Sequence, residues 1–319
     1  MLEQYQAAIA TAIFLVSYAV IVSERIHRTV TALVGAMLVI LLGIINLEKS
    51  IAAIDFNTIG LLVGMMIIVG ITRNTGIFEF LAIKAAKNSK GNPLKIMAAL
   101  SLVTAILSAF LDNVTTVLLI VPVTFAIARK LKITPIPLLV AEIIASNTGG
   151  AATLIGDPPN IMIGGATGLG FMDFFFNLVP VIIVIYAITI PLLQLIYRKQ
   201  LLTKEDLQSR IMHLNEKEEL MDPALLRKSL LVLALTVLGF ILHQYVHLES
   251  SVIALSGASL LLLISGEDPE HALQVVEWPV IFFFIGLFVL VGTLKEVGTI
   301  EAVARWSLSL TGGNVLPTG

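Results

Sequence analysis

The chain has 319 residues, of which 57% are hydrophobic and only 13% are charged, and its mean hydropathy is +0.96. A soluble globular domain carries about 25% charged residues, so this composition excludes that class and predicts a polytopic membrane protein. The formal net charge of -2 gives no indication of a nucleic-acid partner, and the lack of cysteine excludes disulfides and thiolate metal sites.

The first apolar runs approach the roughly 20 residues that a helix needs to cross the hydrocarbon core. The N-terminal residues lack a basic region and a small-residue cleavage pattern, so the first run is predicted to be a retained span rather than a signal peptide. A following segment, 73–93, alternates apolar residues with lysines; an amphipathic helix on the membrane surface and an ordinary solvated helix both fit this pattern. The predicted spans cover about residues 7–23, 29–45 and 57–72.

Residues 94–128 are apolar except for a DNVTT segment in their middle, which begins at Asp112. Two interpretations compete: one long broken crossing, or a re-entrant hairpin over 94–129 with Asp112 and Asn113 at its tip. Lys and Arg gather in cytoplasmic loops. The hairpin keeps the basic cluster at 129–132 on the same side as the other basic loops, whereas a crossing moves it to the opposite side. We therefore favour the hairpin and place the N-terminus outside.

The next membrane segment, 136–168, is interrupted by a GDPPN sequence from Gly156 to Asn160. Two consecutive prolines remove two backbone donors and clash with the preceding turn, so a discontinuous helix with an unwound middle is predicted. Non-helical backbone is tolerated at membrane depth only where it is buried in protein or lines a wet cavity. The DNVTT and GDPPN breaks are therefore the predicted centre of function. A further span follows at about 171–197.

The second half of the sequence repeats the first. Residues 54–80 can be laid without gaps on residues 276–302, and charges match as well as glycines: Asp55 meets Glu277, Gly64 meets Gly286, Arg73 meets Lys295 and Glu79 meets Glu301. Five crossings plus one hairpin would invert the second copy, as in secondary transporters. We predict a first repeat over 1–197, a cytoplasmic linker over 198–228 and an incomplete second repeat over 229–319. The counterparts of the two breaks would lie beyond Gly319, so we expect a truncated product with one complete half-site.

Two linked motifs carry a family resemblance: FLDNVTTVLLIVPVTFAIAR, from Phe110, and AEIIASNTGGAATLIGDPPNIMIGGATG, from Ala141. They resemble the arsenite-pump and sodium-proton antiporter branch of the ion-transporter superfamily, and within it bacterial permeases akin to the melanosomal P protein. Members are often described as citrate-transporter-like. The resemblance implies that DNVTT is the tip of the first hairpin and GDPPN the unwound loop. The predicted fold class is an all-α membrane protein, an inverted-repeat secondary transporter fold with a re-entrant hairpin and a discontinuous helix.

The predicted ion- or substrate-binding residues lie in the two breaks and in the SNTGG segment between them. Their oxygens suit sodium, and helix N-termini facing the midplane would suit an oxyanion. An intramembrane carboxylate costs about 3 kcal/mol on insertion scales, which favours a proton- or cation-carrying role, although Asp is also a favoured helix N-cap. The predicted set is Asp112, Asn113, Thr115, Thr116, Asn147, Thr148, Gly149, Gly156, Asp157, Pro158 and Asn160, with sodium expected at Asn113, Asp157 and Asn160.

These features predict a secondary active transporter of a small ion, either arsenite, antimonite or another anion, or sodium, coupled to H+ or Na+ and without another cofactor. A passive anion channel of P-protein type and a citrate or dicarboxylate-sodium symporter are the alternatives. Glu142, one turn before Ser146, is a further candidate for a relay carboxylate. An aspartyl intramembrane protease does not fit, because Ile155 replaces the first glycine of the GxGD pattern, so no enzyme is predicted. The expected setting is the cell inner (plasma) membrane, with lipid and a small ion as partners and a homodimer as one option.

Overall fold

The computed structural model describes residues 2–202, 209, 211–246 and 248–310, and all the regular elements in these ranges are helical. The predicted all-α membrane class is therefore confirmed. A short 3-10 turn, Glu216–Glu219, separates two series of helices. The first series is α1 (Leu2–Ser23), α2 (Arg28–Leu41), α3 (Leu47–Ala52), α4 (Phe56–Arg73), α5 (Ile77–Asn88), α6 (Pro93–Ser108), α7 (Asn113–Leu131), α8 (Ile136–Gly150), α9 (Pro158–Thr167) and α10 (Phe171–Tyr197). The second is α11 (Pro223–Val246), α12 (Ser250–Ser265), α13 (Pro269–Gln274), α14 (Trp278–Glu296) and α15 (Thr299–Leu310).

Six of the described helices, α1, α4, α7, α10, α11 and α14, are long and apolar enough to cross a membrane. Four further apolar helices are shorter: α2, α6, α8 and α12. A multi-pass membrane protein follows from these lengths and compositions. Two of the shorter helices, α6 and α8, end at the predicted breaks, which explains why they fall short of a full span.

Both breaks are present, but the second lies earlier than predicted, because Pro158, Pro159 and Asn160 of the GDPPN sequence form the first turn of α9. Helix α6 ends at Ser108 and α7 begins at Asn113, and the two helices pack against each other, so residues 109–112 form the turn of a helical hairpin. Helix α8 ends at Gly150 and α9 begins only at Pro158, which leaves residues 151–157 unwound. A helical hairpin and a discontinuous helix are therefore confirmed as elements of the fold, whereas the re-entrant placement of the hairpin in the membrane stays a prediction.

Helix bounds recur at the interval seen in the sequence repeat. Helix α3 begins at Leu47 and α13 begins 222 positions later at Pro269, and the ends of these helices are separated by the same interval. Helices α5 and α15 stand in the same relation. The turn before each of them uses a glycine with positive φ, Gly76 and Gly298, both at 74°. The repeat thus extends from residue identities to local backbone structure.

Packing divides the chain into two compact units, residues 1–59 with 277–319, and residues 60–276. In the first unit α2 lies close to α14, since a Cβ on Gly286 would lie 2.7 Å from the carbonyl carbon of Ala32. In the second unit α12 lies as close to α4, since a Cβ on Gly64 would lie 2.6 Å from the carbonyl carbon of Ala254. Small residues of this kind permit close helix contact in membranes. The matched glycines therefore make equivalent contacts within each unit.

The division into two repeats and a linker stays a prediction, because the compact units follow packing and part of the predicted linker lies outside the described residues.

Two local expectations need revision. Helix α2 ends at Leu41, earlier than residue 45, because Gly43 turns the chain with φ of 67°. Helix α5 does not expose its apolar face, because Phe78, Ala82 and Ile83 are buried and α5 packs against α6 and α7.

Candidate functional site

The hairpin turn holds Asp112 at the N-cap position of α7. Its backbone is extended, with φ of -66° and ψ of 154°, and its carboxylate accepts a hydrogen bond from the Thr115 N–H at 2.9 Å. Asp is a favoured N-cap because its side chain satisfies one of the free donors at the helix start. The Asp112 carboxylate, which is half-buried, is therefore partly engaged by its own helix.

Asp157 has the same position at the start of α9 but a different role. Its backbone is extended, with φ of -143° and ψ of 131°, yet its side chain makes no capping bond. Pro158 and Pro159 follow it and have no N–H to donate. The half-buried Asp157 carboxyl instead forms a hydrogen bond with the side chain of Asn113, and the charge of Asp112 lies close enough to act on it. The two breaks thus bring both aspartates into one region.

Asn113 is the centre of a hydrogen-bonded cluster that joins α6, α7 and α8. Its Oδ1 accepts a hydrogen bond from Ser108 Oγ at 2.8 Å, and its Nδ2 donates to Asn147 Oδ1 at 3.2 Å. Its main-chain oxygen accepts from Ser146 Oγ at 2.9 Å, and the hydroxyls of Ser108 and Ser146 lie 3.2 Å apart. The cluster fixes the hairpin turn against the end of α8.

The unwound segment is tied to the hairpin and to α9. Thr153 donates its hydroxyl to the carbonyl oxygen of Ala109, and the Gly156 N–H donates to the same hydroxyl oxygen at 3.2 Å. Asn160 Nδ2 donates to the carbonyl oxygens of Ala151 at 3.2 Å and Thr153 at 2.8 Å. The Asn160 amide nitrogen therefore holds the unwound backbone in place.

Four helix ends meet at this point. A Cβ on Gly156 would lie 2.5 Å from the carbonyl oxygen of Gly150 and 2.6 Å from that of Ser108, which are the last residues of α8 and α6. In the described part of the chain neither carbonyl oxygen accepts a hydrogen bond. Helix C-termini carry partial negative charge and attract cations, whereas N-termini, here those of α7 and α9, attract anions. Such paired half-helix ends form ion and substrate sites in secondary transporters.

Three other predicted site residues are engaged within a helix, packed between helices or fully buried, which limits their availability to a ligand. Thr148 donates its hydroxyl to the carbonyl oxygen of Ile144 at 2.7 Å, within its own helix. A Cβ on Gly149 would lie 2.1 Å from the carbonyl oxygen of Ala105, so this glycine permits the close contact of α6 and α8. Thr116 is fully buried, and its hydroxyl has no hydrogen-bond partner among the described residues.

Ser108 and Thr153 were not among the predicted site residues, although the Ser108 hydroxyl ties the hairpin turn to α8 and the Thr153 hydroxyl ties the unwound segment to the hairpin turn. Each is a single hydroxyl residue in an apolar run within four residues of a break, and that position is the signal they carry. The structure brings together Asn113, Asn147, Gly156 and Asp157, with Asp112 beside them. A role of any of these residues in binding stays a prediction.

A cavity of about 320 Å³ lies beside this cluster, between α6, α8 and α10. Its lining is apolar and includes Leu102, Phe110, Ile182 and Ile183. Transfer of an ion into such surroundings is strongly unfavourable, so the cavity does not suit ionic cargo. Among the described residues no group of three or more His, Asp or Glu side chains could hold a metal ion. The oxygens at the helix ends are therefore the better candidates for a cation.

Comparison with known proteins identifies the family to which the chain belongs. A profile described as citrate transporter matches residues 18–317. An uncharacterized transporter of Mycobacterium bovis is 43% identical over 98% of this chain and 73% of its own length, and the 46 kDa membrane protein of Mycobacterium leprae is 43% identical over 98% and 74%. The P protein of Homo sapiens is 34% identical over 94% of this chain and 45% of its own length, which confirms the expected likeness. The chain belongs to the citrate transporter family.

Proposed function

We propose that this chain is a secondary active transporter that moves a small anion together with H+ or Na+, and that the cargo binds where the two helix breaks meet. The observation that carries the proposal is the convergence of two helix C-termini, two helix N-termini and the Asn113 amide beside Asp112 and Asp157. A site that combines the partial positive charge of helix N-termini with the partial negative charge of helix C-termini can hold an anion and a cation together. A binding site for one uncharged molecule would not need both.

The cation side consists of oxygens. The carbonyl oxygens of Ser108 and Gly150 lie close to Gly156, and the Oδ1 of Asn113 lies close to Gly150. Asp157 supplies a carboxylate that its own helix does not use. Sodium prefers carbonyl, amide and carboxylate oxygens, and unwound carbonyls with half-helix C-termini bind Na+ or H+ in other secondary transporters. We therefore expect the coupling cation at Asp157 and Asn113. The Asn160 amide nitrogen holds the loop, so we expect Asn160 to contribute only its oxygen.

The anion side consists of the N-termini of α7 and α9. The family to which the chain belongs makes citrate the first cargo to test. Asp112 and Asp157 would repel a free polycarboxylate, so the anion is expected to bind only after protons or metal cations have neutralised them. Arsenite, antimonite and sodium in exchange for protons are the further cargoes. The oxygens and amides of the site could bind neutral arsenite, for which the chain offers no thiolate.

The test is flux through the purified chain in proteoliposomes. Uptake of labelled citrate is measured with an inward sodium gradient, with a pH gradient and with neither, and arsenite, chloride and labelled sodium are screened in the same way. We expect uptake that saturates with cargo concentration and requires a cation gradient. Flux that rises linearly with concentration and requires no coupling ion would contradict the proposal and support a passive channel.

The orientation is a separate proposal. The distribution of basic loop residues supports an N-terminus outside the plasma or inner membrane. Because the chain has no cysteine, single cysteines can be introduced without background at Tyr5 and at Lys130, which are both exposed. In intact cells an impermeant thiol reagent is expected to label the cysteine at position 5 and not the one at position 130. The reverse pattern would contradict the orientation.

A further inference from the structure

A second polar contact lies on α8, one helical turn before the candidate site. Glu142 and Thr124 are both fully buried, and the Thr124 hydroxyl donates a hydrogen bond to Glu142 Oε1 at 2.5 Å. The other carboxyl oxygen, Oε2, is inaccessible and has no hydrogen-bond partner in the described part of the chain. A charged carboxylate without a paired cation is strongly disfavoured in such surroundings. Glu142 is therefore expected to hold a proton in this conformation.

Charged groups on the neighbouring helices do not compensate Glu142. Three helices pack against α8, namely α6, α7 and α10. The titratable side chains on these helices, including the N-cap of α7, are Lys95 on α6, Asp112, Arg129 and Lys130 on α7, and Asp173, Tyr186 and Tyr197 on α10. The three basic residues are exposed near helix ends, and the Tyr186 hydroxyl donates to the carbonyl oxygen of Ala98 at 2.8 Å. The hydrogen bond from Thr124 is the polar contact that the described residues provide to Glu142.

Thr124 differs from three other buried threonines of the chain. Thr104, Thr236 and Thr293 each donate the hydroxyl to the carbonyl oxygen four residues earlier in the same helix. This local bond is the common solution for a threonine inside a helix. Thr124 instead donates to a carboxyl group on the next helix, so the α7–α8 contact contains a specific hydroxyl–carboxyl pair.

The Thr124–Glu142 pair lies close to the candidate site. Glu142 and Ser146 are four residues apart, which places them on the same face of α8 about 6 Å apart along the helix axis. Ser146 is buried and donates to the main-chain oxygen of Asn113. Glu142 therefore lies one helical turn from the hydrogen-bonded cluster around Asn113.

We propose that Glu142 is a proton-binding residue of this transporter, which holds its proton in the conformation described and exchanges it with water when the α7–α8 contact opens. The inference rests on the proposed function and names H+ as a coupled ion, bound apart from Asp157. In the exchange the Glu142 carboxylate takes up one proton to give the neutral acid, and release of that proton restores the carboxylate. Thr124 is a positioning residue that fixes one oxygen of the acid.

An infrared measurement tests the protonation state without any cargo. Spectra of the purified chain at neutral pH are compared for wild type, Glu142→Gln and Thr124→Val. We expect a carbonyl band of a protonated carboxylic acid that is absent in Glu142→Gln and shifted in frequency in Thr124→Val, which lacks the hydrogen bond. An acid band of equal size in wild type and Glu142→Gln would overturn the inference.

A transport measurement tests the coupling. In Glu142→Gln, which mimics the neutral acid, uptake driven by a pH gradient is expected to fall by at least about tenfold, while exchange of cargo without net proton movement is retained. The matched control is Glu79→Gln, whose Oε2 is also buried without a partner but lies on α5. This control is expected to keep both activities.

Other outcomes separate this inference from the proposed function. Uptake by Glu142→Gln at the wild-type rate in a pH gradient would overturn the proton role, as would equal loss of uptake and exchange in a variant with normal thermal stability. Wild-type uptake that ignores a pH gradient but follows sodium would overturn the proton role and leave the proposed transport intact. If the wild type exchanges none of the cargoes, the proposed function fails, and the infrared result alone decides on Glu142.

Discussion

Two aspartates begin helices at the two breaks, and their surroundings differ. Asp112 accepts the Thr115 N–H and so caps α7, whereas Asp157 precedes two prolines and makes no capping bond. Both are half-buried at the start of a helix within apolar sequence. The same residue type in the same helix position can therefore serve the fold in one case and remain available for a ligand in the other.

Asp112 and Asp157 look equivalent in the sequence, but this difference indicates that they have different roles. For Asp112, the capping role that the sequence left open is observed. For Asp157 no capping role exists, so its intramembrane carboxylate needs another reason to be present. We infer that Asp157 carries the coupling cation and that Asp112 chiefly stabilises the hairpin turn and adds negative charge nearby.

The largest expected effect is that of Asp157→Asn on coupled transport. The variant keeps the size and polarity of the side chain but removes the charge that would bind the cation. We expect cation-driven citrate uptake to fall about a hundredfold, which corresponds to about 2.7 kcal/mol. Uptake is measured in proteoliposomes containing equal amounts of protein.

The matched control is Asp55→Asn, because Asp55 caps α4 through the N–H groups of Asn57 and Thr58 and is not part of the candidate site. Its uptake is expected to equal that of wild type, and Asp112→Asn is expected to fall between the two variants. An uptake rate in Asp157→Asn within twofold of wild type would remove the assigned role.

A second prediction concerns the contact that holds the two breaks together. In Gly149→Ala the new Cβ would lie 2.1 Å from the carbonyl oxygen of Ala105, a backbone atom, so α6 and α8 must separate. We expect a loss of stability of about 2 kcal/mol, measured as a lower thermal unfolding midpoint in detergent.

Gly164→Ala provides the comparison for this substitution. There the nearest atom is a side-chain methyl carbon of Leu154 at 2.4 Å, which can rotate away, so a smaller shift of the midpoint is expected. Equal midpoints for the Gly149 variant and wild type would show that the two helices can move apart freely.

A third prediction separates the capping roles of the two aspartates. Asp112→Ala removes the acceptor for the Thr115 N–H and is expected to cost about 1 kcal/mol of stability, whereas Asp112→Asn retains a capping oxygen and is expected to cost little. Asp157→Ala removes no capping bond but only the side-chain hydrogen bond to Asn113, and is expected to lower the unfolding midpoint less than Asp112→Ala. Equal destabilisation by the two alanine variants would refute the distinction.

The smallest effect is expected at a carboxylate that is already paired. The Lys87 ammonium donates a hydrogen bond to Glu216 at 2.5 Å and lowers the pKa of Glu216 below its ordinary value of 4.5. Because the pKa is lower in the folded than in the unfolded chain, the pair stabilises the fold above the ordinary pKa, and this contribution is lost as pH falls through the lowered pKa. The contribution is small because the pair is accessible to water.

The measurement for this pair is the unfolding midpoint of wild type and Glu216→Gln as a function of pH. At neutral pH the variant is expected to unfold at a slightly lower temperature, and the difference is expected to disappear in acid, below the lowered pKa of Glu216. A difference that grows on acidification would contradict the assignment.

The sequence predicted the parts of the fold that depend on local backbone chemistry. Pro158 and Pro159 occupy the first two positions of α9, where proline favours the start of a helix, and the repeat interval follows from residue identities alone. Contacts between helices could not be predicted in this way. Thr124 and Glu142 are 18 residues apart and Ser108 and Ser146 are 38 apart, so each pair depends on how neighbouring helices pack.

The difference between the aspartates illustrates the same limit. An Asp before two prolines can be recognised in sequence as a residue with few local donors, but its meeting with Asn113 depends on the contact between the unwound segment and the hairpin turn. The candidate site was therefore predictable as a set of segments. Its division into capping, packing and ligand-available residues required the structure.

The most direct test of the account is the cation dependence of citrate binding to the purified chain, measured by titration calorimetry at several sodium concentrations and pH values. Wild type and Asp112→Asn are expected to bind citrate more tightly as sodium or proton concentration rises. Asp157→Asn is expected to bind citrate with an affinity that no longer responds to sodium. A sodium response in Asp157→Asn equal to that of wild type would contradict the claim that this aspartate carries the coupling cation.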